Sequence, residues 1–271
     1  MKRKLTIEEI KQYSLEILKD IKRVCKELNL TYFLDSGTLL GAVRHNGFIP
    51  WDDDIDVSMP RPDYEIFIKE YNTHSNPKFR LKCIENSPDY AYPYAKIYNT
   101  ETILYEYGKN NFNLGLSVDI FTIDAYPNDA EKRTEHYKNV ISLFEAYARQ
   151  ASTALSRYSL NPRNIKRNIR IFRARTYLQK KRALKVIENA KSVDWDKSDF
   201  AGINVCIFFH PYDRFIPKDC WIPIDHQFED EEFSIPKGYD SVLKSYYGPN
   251  YMTPPPVEKR QSTHGLEIFL R

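Results

Sequence analysis

The sequence predicts an α+β protein in which a mixed sheet is flanked by helices. Three observations support this class: an amphipathic helix near the N-terminus, helices that alternate with strand-like runs early in the chain, and successive strand-like runs after residue 78. The chain has 271 residues, of which 42% are hydrophobic, enough to bury a sizeable core. It can fold as one large domain or as a catalytic domain with an appended region.

A capping box and an apolar stripe predict the first helix. Thr6 and Glu9 have the spacing of a capping box. Apolar residues then recur at every third or fourth position and describe one helical face: Ile10, Tyr13, Ile17, Ile21, Val24 and Leu28. The helix should pack on the sheet and end near Asn29.

A strand, a small-residue turn and a short helix follow. TYFLD predicts the strand, and Ser36-Gly37-Thr38 predicts a turn that places backbone N–H groups at the N-terminus of a helix over LLGAV. Such a terminus can bind an anion, and Gly37 lets the backbone approach a phosphate closely. Most turns of this composition are ordinary caps, so the prediction of a phosphate site depends on the strand that comes next.

That next strand begins in WDDDIDVSM, which holds four aspartates. Asp54 and Asp56 alternate with apolar residues, and the two-residue period of a strand places both carboxylates on one face. Asp52 and Asp53, close to Pro50, are interpreted as loop or turn residues. Two adjacent carboxylates repel each other unless one is protonated or a cation neutralises both. Oxygen ligands favour Mg²⁺ or Mn²⁺, with phosphate from a substrate completing the coordination.

Further elements are predicted along the chain. Pro60 and the following Arg-Pro end the aspartate strand, and a second helix should begin at Asp63. Strands are expected over FRLKCIE (79–85), YAKIYN (94–99) and TILYEY (102–107), in an antiparallel or mixed part of the sheet. A short helix should end at Gly248.

The string SGTLLGAVRHNGFIPWDDDIDV resembles the LicD family, which includes bacterial phosphocholine transferases and fukutin-type phosphoribitol transferases. The order of the elements is similar to that of the nucleotidyltransferase fold. Further similarity lies in SVDIFTIDAYP and in YYGPNYMTPPPVEKRQSTH, whereas residues 130–200 match no familiar motif. The resemblance implies a third carboxylate on a neighbouring strand. Asp119 is the candidate, both as metal ligand and as general base, and Asp124 is interpreted as a turn or capping residue.

The same resemblance implies a metal-dependent phosphotransferase. Its donor would be CDP-linked, with phosphocholine the preferred head group and ethanolamine, ribitol or glycerol left open. Its acceptor would be a sugar hydroxyl of a cell-surface glycan precursor such as teichoic acid, capsule polysaccharide or another lipid-linked saccharide. Asp54, Asp56 and Asp119 would be the catalytic and metal-binding residues. The alternative is a nucleotidyltransferase that moves a nucleoside monophosphate to a small acceptor with the same metal site.

Donor-binding candidates outside the turn are Arg44, Lys96 and His264. Each has a structural alternative. Arg44 can be a cation that stabilises a helix C-terminus, and this is the preferred interpretation of its neighbour His45. Lys96 can be an outward-facing charge on an edge strand, and His264 can be an ordinary structural histidine. Binding of a choline group needs an aromatic cage, for which Trp51 is the first candidate.

Residues 157–182 contain ten lysines or arginines and no acid, although the whole chain carries a formal charge of only +3. This segment can be an amphipathic helix that binds anionic lipid, a binding surface for a polyanion, or a helix exposed to solvent with no binding role. Nucleic-acid binding through this segment is the least favoured function, because Asp54, Asp56 and Asp119 would repel a nucleic acid. No nucleic acid is therefore expected as a partner. The absence of a signal peptide or an apolar span favours the cytoplasm, with contact at the inner face of the membrane. The expected organisation is a nucleotidyltransferase-like core over 1–130, a helical basic insertion over 131–200 and a C-terminal region over 201–271 that folds back on the core.

Overall fold

A computed structural model describes residues 3–105, 115–152, 165–205, 214–260 and 267–271, with the backbone alone at 105, 150–152 and 165–176. Its helices are α1 (Ile7–Leu28), α2 (Ser36–His45), α3 (Arg61–His74), α4 (Ala130–Ser152), α5 (Ile165–Ala190) and α6 (Tyr239–Tyr247). Its strands are β1 (Phe33–Leu34), β2 (Asp56–Pro60), β3 (Phe79–Lys82), β4 (Ala95–Asn99), β5 (Thr102–Tyr105), β6 (Ser117–Tyr126), β7 (Phe200–Ile203), β8 (Ile216–Pro217), β9 (Pro223–Phe228), β10 (Glu231–Pro236) and β11 (Glu267–Leu270).

The central strand of the sheet is β6. Within the described residues the main sheet has seven strands in the order β1-β2-β6-β4-β3, with β7 also on β6 and β8 on β7. β2 runs parallel to β6, whereas β4 and β7 run antiparallel to it and share its other side. The mixed α/β architecture predicted from the sequence is therefore confirmed.

Helix α1 follows its sequence signals. The Thr6 side chain accepts a hydrogen bond from the Glu9 N–H, and the Glu9 side chain accepts one from the Thr6 N–H, so the capping box is confirmed. The helix ends at Leu28, and Asn29 takes the left-handed conformation that commonly closes a helix. The interior side of its apolar stripe, including Ile17, Ile21 and Val24, is completely buried in the main core.

Strand β2 is shorter at its start than predicted. It begins at Asp56, so Asp54 precedes the strand and the strand-period argument for Asp54 was wrong. The strand continues to Pro60, and α3 starts directly after it at Arg61, two residues before the predicted start, with Pro62 in its first turn. Proline is compatible with this position because the first N–H groups of a helix need no helical partner.

Two predictions about the strands after residue 94 need correction. β5 does not continue the main sheet after β4 but pairs with β11. Asp124 is not a turn residue, because it lies inside β6 and pairs with Gly202 of β7. Its side chain is 1% exposed and forms an ion pair with Arg61 at 2.6 Å, and this partner explains how a carboxylate is held in the strand.

Helices α4 and α5 pack against each other and extend the main core. Tyr137, Val140 and Phe144 of α4 and Val186 of α5 are buried in the same cluster as the sheet. Two basic side chains at the end of the 157–182 segment have structural partners. Lys180 donates to the Ile84 carbonyl at 3.3 Å, and Arg182 donates to the Ala146 carbonyl. None of the described helices has an apolar stretch long enough to cross a bilayer.

The C-terminal part of the chain lies against α2. The hairpin of β9 and β10 places Glu229 next to the end of α2, where the Glu229 N–H donates to the Asn46 carbonyl at 2.8 Å and its carboxylate accepts from the Phe48 N–H at 2.8 Å. Helix α6 also packs on α2 and ends before Gly248, as predicted. These contacts place residues from beyond residue 214 next to α2.

Candidate active site

Asp56 and Asp119 lie opposite each other at the start of the parallel pair of β2 and β6. Asp54 is close enough to act on Asp56 electrostatically, although it lies outside the strand. Desolvation, followed by the charges of Asp54, Asp119 and Asp35, raises the pKa of Asp56 well above its usual range. Negative charge therefore accumulates at this edge of the sheet, and only a cation or a proton can relieve it.

Asp35 is a fourth carboxylate of this cluster, and the sequence analysis missed it. It precedes α2 as the N-cap residue, is completely buried, and its N–H donates to the Asp56 carbonyl at 3.0 Å. Burial raises the pKa of its carboxyl to about 6, although the Ser36 N–H and the charge of Arg214 favour the ionised form. Its position directly before the Ser-Gly-Thr turn was the only signal for it in the sequence.

The turn at the start of α2 connects these carboxylates to the helix. Ser36 has a φ of 48°, a left-handed conformation that is unfavourable for a residue with a Cβ and that is enriched at functional sites. A Cβ on Gly37 would lie 2.8 Å from Oδ2 of Asp52, so the Asp52 carboxylate covers the backbone of the turn. The Thr38 hydroxyl accepts the Asp56 N–H at 2.9 Å and fixes the turn to β2. Asp52 is thus a loop residue, as predicted, whose carboxylate also lies at the candidate site.

Lys96 lies on β4 and points to Asp119. Its ammonium group donates to the Asp119 carboxylate and lies 5.3 Å from the centre of the Tyr92 ring and 5.5 Å from that of Tyr94. The structural alternative for this lysine was wrong, because β4 lies between β3 and β6 and is not an edge strand. Desolvation opposes the charge of Lys96, but Asp119 outweighs it and raises the pKa of the lysine above its usual range.

Arg44 and His45 end helix α2 beside Trp51. The Arg44 Nε donates to His45 Nε2 at 2.9 Å, and burial together with Arg44 lowers the pKa of His45, which disfavours its cationic form at the helix end. The His45 ring meets Trp51 edge-on at 6.4 Å. The guanidinium group of Arg260 lies 5.3 Å from the Trp51 ring centre, on the aromatic surface first considered for a choline group. His264 lies outside the described residues.

Tyr247, at the end of α6, is a second residue that the sequence analysis missed. Its side chain is 45% exposed. Burial of its hydroxyl, followed by the charges of Asp56 and Asp35, raises its pKa above the usual range, and it also interacts electrostatically with Arg44. No local pattern marked this tyrosine among the 20 in the chain. It interacts both with the carboxylates and with the arginine at the end of α2.

The donor set at this edge fits a hard divalent cation. Among the described residues, no three His, Cys, Asp or Glu side chains are grouped so that they could hold a metal ion by themselves. Mg²⁺ does not require such a set, because it usually takes one or two carboxylates and keeps its other positions for water and phosphate oxygens. Desolvation and three neighbouring carboxylates raise the pKa of Asp56, and a bound cation would favour its ionised form.

Comparison with known proteins matches this region to a family. Residues 29–154, which contain α2, β2 and β6, match the model described as "LicD/FKTN/FKRP, nucleotidyltransferase domain". Over 99% of both chains, the sequence is 27% identical to the lipopolysaccharide cholinephosphotransferase LicD of Haemophilus influenzae.

The chain is similar to the LicD family.

Two further relatives match shorter stretches. An uncharacterized protein of Rickettsia prowazekii is 31% identical over 45% of this chain and 47% of its own length. An uncharacterized protein of Rickettsia typhi is 47% identical over 21% of this chain and 19% of its own length. The resemblance to the LicD family found in the sequence motifs is therefore confirmed, and the match to the Haemophilus LicD also spans α1 and α5.

Proposed function

We propose that this protein is a phosphotransferase that moves phosphocholine from CDP-choline to a sugar hydroxyl of a cell-surface glycan precursor. The observation that carries the proposal is the placement of Asp56 opposite Asp119, with Asp54 and Asp35 nearby, in the part of the chain that matches the family model. The full-length similarity to a lipopolysaccharide cholinephosphotransferase supports the choice of head group and acceptor.

The arrangement of elements supports a nucleotidyltransferase type of core. β1 leads into the Ser36-Gly37 turn, α2 follows, and β2 then begins with Asp56 next to the third carboxylate on β6. In this proposal Asp54 and Asp56 would hold Mg²⁺ or Mn²⁺, with Asp119 as the third ligand. The cation would neutralise charge on the diphosphate and on the leaving group.

The chain's own residues would position the reactants. The N–H groups of the turn at Ser36 and Gly37 would donate to donor phosphate oxygens, which is the chemistry of a helix N-terminus. The acceptor oxygen would attack the phosphorus that bears choline, the bond from that phosphorus to the bridging oxygen would break, and CMP would leave with that oxygen. Asp119 would accept the proton of the acceptor hydroxyl, while Lys96 keeps the carboxylate oriented.

Tyr247 is the aromatic residue best placed to meet the head group. Its side chain is 45% exposed and interacts electrostatically with Asp56 and Asp52, and an aromatic face near carboxylates suits a quaternary ammonium. Trp51 is less suitable, because Arg260 already lies over its ring.

The exposed surface of α5 supports contact with a membrane. Tyr177, Leu178 and Leu184 are 67%, 42% and 47% exposed on the described part of this helix. Lys181 and Lys185 are exposed between and beside them. Apolar side chains flanked by lysines suit an anionic lipid surface, and a lipid-linked acceptor at the inner face of the cytoplasmic membrane would bring its substrate there.

The test uses CDP-choline that carries one label on choline and another on cytidine, with Mg²⁺ and lipopolysaccharide that lacks phosphocholine. We expect choline label on the acceptor and cytidine label in CMP. Asp56→Asn should lower the transfer rate at least a hundredfold, because it removes charge from the metal-binding face. Asp225→Asn, an exposed aspartate on β9, is the matched control. Cytidine label on the acceptor would instead indicate a nucleotidyltransferase, and full turnover by Asp56→Asn would contradict the assignment.

A further inference from the structure

Two arginines from distant parts of the chain meet beside Trp51. Arg44 lies in the last turn of α2, where its Nη1 donates to the Tyr251 carbonyl at 3.1 Å. Arg260 follows the helical turn Val257–Lys259, and its Nε donates to the Pro255 carbonyl at 2.9 Å. The Arg44 Nε donates to His45 Nε2 at 2.9 Å, and the centre of the His45 ring lies 6.4 Å from that of Trp51. The Arg260 guanidinium group lies 5.3 Å from the centre of the same Trp51 ring, so both arginines adjoin this tryptophan.

Neither arginine has an acidic partner among the described residues. The buried arginine at the other end of β2 shows the usual arrangement, since Arg61 forms an ion pair with Asp124. Arg44 and Arg260 instead donate to carbonyl groups and, from Arg44, to Nε2 of His45, and no ion pair to either is found in the described ranges. Two neighbouring cations that are partly withdrawn from water repel each other. An anion bound between them would replace this repulsion with attraction to both.

The unused donors of Arg260 are suited to such an anion. Its ring contact with Trp51 holds the guanidinium group against a flat surface, and its only hydrogen bond to a described residue uses Nε. An arginine has five N–H donors in a planar fork that matches the oxygens of a phosphate. The Nη donors of Arg260 therefore lack a protein acceptor in the described part of the chain.

The arginines lie next to the carboxylate cluster. Tyr247 interacts electrostatically with Arg44 and with Asp56, Asp35 and Asp52. Trp51, which carries Arg260, directly precedes Asp52, and the Asp52 carboxylate covers the Gly37 turn. A ligand with two linked phosphates could thus meet the carboxylate edge with one end and the arginines with the other.

We propose that Arg44 and Arg260 form an anion subsite for a phosphate group of a diphosphate-containing ligand, adjacent to the carboxylate cluster. The subsite deepens the proposed function and rests on it for the identity of the ligand, which there is the CDP-linked donor. Arg260 is its new member, contributed by the C-terminal segment, and Trp51 positions the guanidinium group.

The test measures binding of inorganic pyrophosphate by calorimetry in the presence of EDTA, so that no metal at the carboxylates contributes. Arg44→Gln and Arg260→Gln should each weaken binding about tenfold, which is the size of one charge-assisted hydrogen bond lost. Arg260→Lys should weaken it about threefold, because charge remains but the planar fork is lost. Arg149→Gln is the matched control, since Arg149 is 68% exposed and pairs with Glu145 of its own helix.

A second readout follows Trp51. Pyrophosphate should change the tryptophan fluorescence of the wild-type protein, and Trp51→Phe or Arg260→Gln should abolish that change. Circular dichroism checks folding, and if Arg44→Gln does not fold, the two Arg260 variants decide.

Two outcomes would overturn the subsite. One is a pyrophosphate affinity that is unchanged in Arg260→Gln, and the other is no binding to wild type at a pyrophosphate concentration of about 10 mM, on the order of the weakest useful affinity. The outcome is separable from the proposed function. Arginine-dependent pyrophosphate binding without choline transfer would retain the subsite and contradict the phosphotransferase. Choline transfer by a protein whose pyrophosphate binding does not depend on the arginines would support the phosphotransferase and contradict the subsite.

Discussion

The Lys96 ammonium group donates to the Asp119 carboxylate across the antiparallel pair of β4 and β6, at positions that face each other in the register. This contact gives one of the four carboxylates at the sheet edge a permanent partner. It also fixes the orientation of the Asp119 carboxylate.

Lys96→Met should destabilise the metal-free protein by about 3 kcal/mol, because it leaves Asp119 without a counter-charge next to Asp56. We also expect Mg²⁺ to stabilise this variant more than the wild type, since the cation would then replace the lost positive charge. Urea unfolding with EDTA and with Mg²⁺ measures both effects. An equal response of the two proteins to Mg²⁺ would contradict the placement of the cation beside Asp119.

The stability of the metal-free protein should depend on Asp35 between pH 4 and pH 7. The pKa of this carboxyl is about 6 in the folded chain and about 4 in the unfolded chain. The folded chain therefore binds more protons between these values, and the free energy of unfolding falls as the pH rises through them, by about 3 kcal/mol in total.

Asp35→Asn should remove this slope, so the variant should gain stability relative to wild type as the pH rises. Denaturant unfolding in EDTA at half-unit pH steps gives the difference between the two proteins. Asp225→Asn, at an exposed position, should follow the wild-type curve. If the difference in the free energy of unfolding between wild type and Asp35→Asn does not vary with pH, the pKa of Asp35 is not raised in the folded chain.

The ion pair of Arg61 and Asp124 should matter for stability. Both side chains are buried, at 12% and 1% exposure, and the Thr122 hydroxyl donates to the same carboxylate at 2.8 Å. Asp124→Asn should cost about 3 kcal/mol because Arg61 is left buried without its partner. Asp194→Asn, which breaks the exposed pair with Lys197, should cost less than about 1 kcal/mol. Equal losses in chemical denaturation would show that the buried pair is no stronger than the surface one.

Tyr247 should affect affinity for the head group through its ring. Tyr247→Leu should raise the KM for CDP-choline about tenfold and leave the KM for CDP-glycerol nearly unchanged, because only choline presents a quaternary ammonium to the aromatic face. Tyr247→Phe keeps the ring and should behave like the wild type with both donors. Steady-state kinetics with the two donors measures this, and an equal loss for both would exclude a role in choline recognition.

The exposed apolar residues of α5 should bind the protein to anionic membranes. Tyr177→Ser combined with Leu184→Ser should weaken sedimentation with vesicles that contain phosphatidylglycerol by at least about tenfold, since two apolar side chains no longer enter the interface. Ile66→Ser, which removes a 46% exposed apolar residue from α3, is the control. Wild-type protein that stays in the supernatant at low salt would contradict the membrane contact.

The parts of this fold that the sequence predicted are those with local causes. The capping box of α1, the end of α6 and the strand character of residues 56–60 each depend on neighbours within a few positions. Asp56 and Asp119 could be picked out because apolar residues flank both and the family resemblance implies three acids.

The errors and omissions have long-range causes. Asp124 was misread because the arginine that neutralises it lies 63 residues earlier, and a carboxylate in an apolar run is otherwise unfavourable. Asp35 gains its significance only from burial next to Asp56 and from Arg214, and no period or spacing in the sequence encodes that contact. Tyr247 and Arg260 reach the site through the packing of the C-terminal region on α2.

The late position of these partners affects how the chain matures during synthesis. Asp35, Asp54 and Asp56 leave the ribosome long before Arg214, Tyr247 and Arg260, so the carboxylates emerge well ahead of the cationic and aromatic groups that adjoin them. Until those groups arrive, water must solvate the acidic edge, and the parallel pairing of β2 with β6 must also wait for its more distant strand. A nascent chain halted before residue 214 would therefore hold the acids of this pocket without the arginines and tyrosine that complete its wall.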